Sequence, residues 1–261
     1  MSEKEKPQVV ILCGGFGLRL RIETEFRPKP LVKVGPHPIL YHIMKIYSHY
    51  GYNRFVLCLG YKGEMIKEYF LNYDLMDHDF LYNTKTRNKK IFSEENVESW
   101  EILFADTGLA TPTGGRVKKI EKYIEEDNFL LTYGDGLANI DIDDLYKFHL
   151  KMNKMGTLTA IHPMSPFGII QVNEGNVLSF KEKPQLEGLI NGGFFVFKKD
   201  FFDILKVDSV LEETPLRYLS RKNELSAYEL KGFWMCMDTF KDTTRLNEMW
   251  EIGNTPWMIW E

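Results

Sequence analysis

Short apolar runs recur along the chain with helical patterns between them. "QVVILC" opens the series, followed by "PILYHIMKIYSHY", "RFVLCL", "EMIKEYFLNY", "NFLLTYGDG" and "IDDLYKFHLKM". "QVVILC" is apolar without a period of two, as expected of a strand covered on both faces. "EMIKEYFLNY" instead spaces Met65, Ile66, Tyr69, Phe70 and Tyr73 along one side of a helix. Strands alternating with helices predict βαβ units. The expected fold class is therefore α/β: a Rossmann-like, mixed but mostly parallel sheet with helices on both faces.

The pattern breaks twice. From about residue 73 to 100 the sequence is charged and irregular, which predicts an inserted excursion, a hairpin or a surface for another subunit. "FGIIQVNEGNVLSFKEKP" has two extended runs around a turn at Glu174, Gly175 and Asn176, a hairpin beside the parallel core. The ending "TTRLNEMWEIGNTPWMIWE" predicts a helix stopped by Gly253 and Pro256, then an aromatic tail used for packing or a subunit contact.

Composition narrows the class. At 261 residues and 44% hydrophobic, the chain can bury a large core, and a single domain over 1–261 is expected. A formal charge of −4 argues against a nucleic-acid partner, whose footprint is normally basic. Cys13, Cys58 and Cys236 are widely separated and in no metal spacing, which suits a reducing cytoplasm. No apolar run approaches the length that crosses a membrane, so a soluble protein is expected.

The densest chemistry follows the first strand, in "CGGFGLRLRIETEFRPKPLVKV". A loop at the carboxyl end of a strand lies where open α/β sheets bind ligands. Gly14, Gly15 and Gly17 allow amide groups to point into a concavity that suits phosphate. Arg19 and Lys29 add positive charge, and Pro28 and Pro30 hold Lys29 stiffly. Such loops also occur without phosphate, so both readings stand at this stage. Two sharper motifs fail on spacing. The dinucleotide fingerprint needs a glycine where Leu20 stands, and the nucleoside-triphosphatase loop needs a Gly-Lys-Ser/Thr ending.

Two carboxylates follow apolar runs: Asp135 in "TYGDG" and Asp238 in "WMCMDT". With phosphates between them they would make a magnesium site, because that ion prefers oxygen ligands shared with substrate. A turn or helix cap is the alternative for each, the more so for Asp238 beside Thr239. Lys183 in "KEKP" could meet a sugar phosphate or simply be solvated. Asn191, with Gly192 and Gly193, could bind sugar hydroxyls or make a tight turn. "TGGRVKKI" predicts a helix whose amino terminus, Thr113 to Arg116, favours anions.

"CGGFGLRL" followed by "RPKPLVKVGPHPIL" resembles the sugar-phosphate nucleotidyltransferase family, whose usual form is Gly-Gly-X-Gly-Thr-Arg-Leu and then Pro-Lys-Pro. The likeness continues through "DTGLATPTGGRVKKI", "LLTYGDGLANIDI", "INGGFFVF" and "GFWMCMDT", and is strongest to the cytidylyltransferase branch. Leu18 stands where the usual form has threonine.

The resemblance implies a nucleotide pocket of Leu12, Gly14, Gly15, Gly17, Arg19, Lys29, Thr111, Arg116 and Gly134. It implies acceptor binding by Lys183, Asn191 and Gly192, with Mg2+ on Asp135 and Asp238. Arg19, Lys29 and Asp135 would then be the catalytic set. Residues 1–135 would form the nucleotide half, and 136–261 a partly β-rich acceptor half with the carboxyl-terminal helix. The implied reaction joins CTP to a sugar 1-phosphate, favouring glucose 1-phosphate, in a cytoplasmic homo-oligomer. Another sugar or polyol phosphate, or a non-catalytic nucleotide-binding relative, is the alternative.

Overall fold

The computed structural model describes residues 5–76, 78–92, 98–165 and 167–260. Residues 77 and 93–97 of the irregular excursion, and 1–4 of the charged amino terminus, lie outside the described residues.

Seven strands form one sheet: β1 (Val9–Leu12), β2 (Arg54–Leu59), β3 (Glu101–Asp106), β4 (Asn128–Tyr133), β5 (Gly156–Ile161), β6 (Ile190–Lys198) and β7 (Leu225–Glu229). Their order is β7-β5-β6-β4-β1-β2-β3. Only β6 runs against its neighbours; every other pairing in this sheet is parallel.

The principal helices are α1 (Ile39–His49), α2 (Gly63–Leu71), α3 (Thr113–Lys119), α4 (Ile142–Met152), α5 (Thr214–Arg221) and α6 (Phe240–Glu251). The side-chain period of two sorts the strand residues between two cores. Val9, Ile11, Phe55, Leu57 and Leu130 face one, with α1, Ile66 of α2, Ile142 and Leu145 of α4, Leu246 of α6 and Trp257. Val10, Leu12, Val56, Phe129 and Leu131 face the other, with Val117 of α3 and Leu216 and Leu219 of α5. Both faces are covered, which is why the strands read as unbroken apolar runs.

The connections place a crevice at one rim of the sheet. From β1 the chain steps outward through β2 to β3, then returns to lay β4 on the opposite side of β1. That reversal opens a crevice at the carboxyl ends of β1 and β4. A second junction lies beside it. Gly136–Ala138, just after β4, pairs antiparallel with Trp234–Cys236, Gly136 opposite Cys236. Asp135 and Asp238 therefore emerge at the same end of this ribbon, although far apart in sequence.

Both irregular regions contain two-stranded ribbons. Phe80–Tyr82 pairs with Lys89–Ile91, and Ile169–Asn173 with Asn176–Lys181. The second turns through Glu174 at φ 46° and Gly175 at φ 82°. It differs from the expected hairpin in its packing: Ile170, Val172, Leu178 and Phe180 are exposed. Its strands are not hydrogen-bonded into the central sheet. The aromatic tail packs inward, with Trp257 wholly buried and its indole N–H donating to His42 Nδ1 at 3.4 Å.

Candidate active site

Residues 13–17 form a loop leaving β1, and the glycines in it have different causes. A Cβ on Gly14 would lie 2.1 Å from the Arg116 guanidinium, so this position makes room for a side chain of the same protein. Gly17 has φ 62°, a left-handed conformation that favours glycine. Gly15 has nothing within 4 Å of an added Cβ and faces open space. Gly134 is packed from behind: its Cβ would meet the Leu12 carbonyl at 2.8 Å and Pro30 at 3.2 Å.

After the loop, Pro28 starts a tight turn, Lys29–Leu31, whose Pro30 and Leu31 are buried. This anchoring directs Lys29 into the crevice. Its Nζ donates to Asp135 Oδ2 at 2.5 Å and to Asp238 Oδ1 at 2.9 Å. Asp238 also pairs with Arg19. Burial pushes the Lys29 ammonium down, but the Asp135 charge and the hydrogen bonds to both carboxylates outweigh it and hold it above its ordinary range.

Capping does not occupy Asp238. Thr239 caps α6 in a reciprocal box with Asp242, leaving the neighbouring carboxylate to the two cations. Cys236 sits beside this cluster, and burial together with Asp135 raises its thiol well above the ordinary range. Burial does the same to Cys13. Both sulfurs stay protonated, so neither provides a thiolate nucleophile.

Leu12, Gly14, Gly15, Gly17, Arg19, Lys29, Thr111, Arg116, Gly134, Asp135 and Asp238 line one cavity of about 610 Å³. Leu18 joins them with its side chain largely exposed. Lys183, Asn191 and Gly192 are not among the lining residues. Lys183 is half exposed, its Nζ 3.4 Å from Glu182. Asn191 Oδ1 accepts from the Gly193 amide at 2.9 Å, where Gly193 has φ 83°.

Arg116 lines the cavity with its N–H groups directed elsewhere. Nη1 donates to the Leu59 and Gly108 carbonyls at 3.0 and 2.8 Å and to Thr107 Oγ1 at 2.7 Å. Nη2 donates to the carbonyls of Gly14 at 2.9 Å and Leu109 at 3.2 Å. One guanidinium thus ties together the loops leaving β1, β2 and β3. The start of α3 is similarly occupied: the Gly115 amide donates to the Ser209 carbonyl at 2.9 Å, and the Arg116 amide to that of Pro112. The expected anion-favouring amino terminus has spent those two amides within the protein.

One feature of the wall carries no sequence signal. Glu212 accepts from the Tyr133 hydroxyl at 2.5 Å and from Thr113 Oγ1 at 2.7 Å, bridging the end of β4 to the start of α3. Those partners lie 79 and 99 residues away along the chain.

Clustered carboxylates and cations at a switch point of a mixed sheet agree with what sequence comparison finds. The nucleotidyl transferase family matches residues 8–253. The chain belongs to that family. Among its members, the glucose-1-phosphate cytidylyltransferase of Salmonella typhimurium is 44% identical over 257 residues, covering 97% of this chain and all of the relative. A protein of Bacillus subtilis named as a probable glucose-1-phosphate cytidylyltransferase is 43% identical over 255 residues, with the same coverage. HddC from Yersinia pseudotuberculosis shares the nucleotidyltransferase fold, with a TM-score of 0.68 at 23% identity over 94% of this chain and all of that one. Among the described residues, no helix is long and apolar enough to cross a membrane.

Proposed function

We propose that this nucleotidyltransferase joins CTP to glucose 1-phosphate, giving CDP-glucose and pyrophosphate. The observation that carries this is the 44% identity, end to end, with the glucose-1-phosphate cytidylyltransferase of Salmonella typhimurium. An oxygen of the sugar phosphate attacks the α-phosphorus of CTP, the new P–O bond forms, and the bond to the β-phosphate oxygen breaks. The attacking phosphate has a second pKa of about 6 and is largely ionised near neutrality, so no strong base is needed. The protein must instead hold two repelling anions in line and offset their charge.

Arg19 and Lys29 would take the β- and γ-phosphates and retain the departing pyrophosphate. The open space at Gly15 admits phosphate close to the backbone. Arg116 would hold the loops of the nucleotide pocket in shape, and Lys183, Asn191 and Gly192 would receive the acceptor.

The donor set suits Mg2+. Two carboxylates, Asp135 and Asp238, converge on the Lys29 ammonium within the cavity. Magnesium usually takes one or two carboxylates and completes its shell with phosphate and water. Asp135 and Asp238 would hold the ion, which supplies positive charge against the triphosphate when bound.

In this reading residues 1–135 serve the nucleotide and 136–261 the acceptor, in a cytoplasmic homo-oligomer. The exposed apolar ribbon Ile169–Lys181 supports self-association, since an isolated two-stranded ribbon is marginal in water.

The test is pyrophosphate release across a grid of nucleoside triphosphates and sugar phosphates, with and without Mg2+. CTP with glucose 1-phosphate and Mg2+ is expected to give the highest rate. No release in any combination, or a clear preference for another triphosphate, overturns the assignment.

A further inference from the structure

Four charged side chains in the cavity satisfy one another: Arg19 with Asp238, Asp238 with Lys29, and Lys29 with Asp135. Two positive and two negative charges make the cluster neutral. Its members are also the groups that the proposed function assigns to the metal and to the triphosphate, and the inference below rests on that reading.

The two uses compete. A dication held by Asp135 and Asp238 would share the carboxylates that now pair with Lys29 and Arg19, and it would face an ammonium at close range. A triphosphate drawn to Arg19 and Lys29 without a metal would strip Asp135 and Asp238 of their partners and set two unpaired carboxylates beside a polyanion. Arriving together, the ligands reverse both penalties, because the cations pass to phosphate and the carboxylates to metal.

We infer that these four residues form a partner-exchange cluster that suppresses binding of metal alone and of triphosphate alone while favouring the pair. Lys29 is then an internal counter-ion as well as a phosphate ligand, and metal and nucleotide are coupled through the side chains they displace.

The coupling is read by binding, without turnover. Calorimetry with CTP in EDTA compares the wild-type protein with Asp238→Asn, which releases Arg19 and half of the hold on Lys29. Electron paramagnetic resonance with Mn2+ alone compares the wild type with Lys29→Met. Each variant is expected to bind its single ligand at least about 5-fold more tightly than the wild type. Equal or weaker binding by both overturns the inference, because residues that were only ligands would lose affinity or leave it unchanged.

Circular dichroism checks the fold, and Asp238→Ser or Lys29→Gln replaces a variant that does not fold. The wild type gives an independent reading: CTP with Mn2+ should bind at least about 50-fold more tightly than CTP in EDTA, and a gap below about 5-fold overturns the inference. CTP binding in both conditions with no gap removes the exchange and spares the proposed function. Failure of CTP to bind in either condition removes the proposed function itself.

Discussion

Arg116 shows how one residue can line a cavity and spend its chemistry on the protein. Its planar fork reaches acceptors in three loops, which a lysine ammonium on a flexible stem cannot reproduce. Burial also depresses its pKa, though the neighbouring Cys58, Cys13 and Asp106 oppose the shift. Gly14 and Gly60 belong to the same arrangement, because a Cβ at either would strike the guanidinium. Arg116→Lys is expected to cost about 2–4 kcal/mol by leaving buried carbonyls short of donors. In urea unfolding the extrapolated free energy should fall by that amount, and the KM for CTP should rise more than kcat falls. Unchanged stability would mean that the loops hold their shape without it.

At the scale of elements, the ribbon Ile169–Lys181 stands apart. Apolar residues on a two-stranded ribbon normally face a core, yet Val172, Val177, Leu178 and Phe180 are each more than half exposed. Burying such side chains is worth about 1.5–3 kcal/mol apiece, so a contact between copies would gain from covering them. Phe180→Glu is expected to lower the oligomeric state seen by light scattering without shifting the far-ultraviolet dichroism. An unchanged mass would mean that this ribbon carries no contact between copies. The same scale explains how the acidic pair is presented. The capping box of Thr239 and Asp242 ends the approach to α6, and the pairing of Gly136 with Cys236 aligns Asp135 with Asp238.

At the scale of the whole molecule, two buried imidazoles, His42 and His149, are expected to weaken the fold in acid. Burial lowers His42 to about 4, against a smaller upward pull from its bond to the Val34 carbonyl, and His37 lowers it further. Burial also lowers His149 to about 4, with Lys198 adding to the shift. The neutral His149 ring contacts Asn128 Oδ1 at 3.2 Å and Thr157 Oγ1 at 2.8 Å.

Unfolded, both rings would take a proton near pH 6.5, whereas folded they resist it. Stability from this source is therefore full above pH 6.5 and declines as the pH falls towards 4. The loss is on the order of 3 kcal/mol for each ring. Urea unfolding at pH 7.0, 5.5 and 4.5 should show the decline, and His149→Gln should reduce it by about half. A slope that this substitution leaves unaltered would remove His149 from the acid response.

The strands and the cationic, glycine-rich character of the first loop were legible because both depend on neighbours in the chain. Unbroken apolar runs signal strands covered on both faces, and glycines beside Arg19 and the proline-flanked Lys29 mark a cationic turn. The resemblance to the nucleotidyltransferases rests on the same local motifs, and the relatives bear it out. What the sequence could not determine was which distant groups meet. Lys29 and Asp238 are 209 residues apart, and Glu212 joins Tyr133 to Thr113 with no motif to announce it. Strand order and register set those encounters, and they follow from how two complete cores pack against one sheet. The guanidinium of Arg116 makes the same point: sequence supplied the charge, and three converging loops decided what it holds.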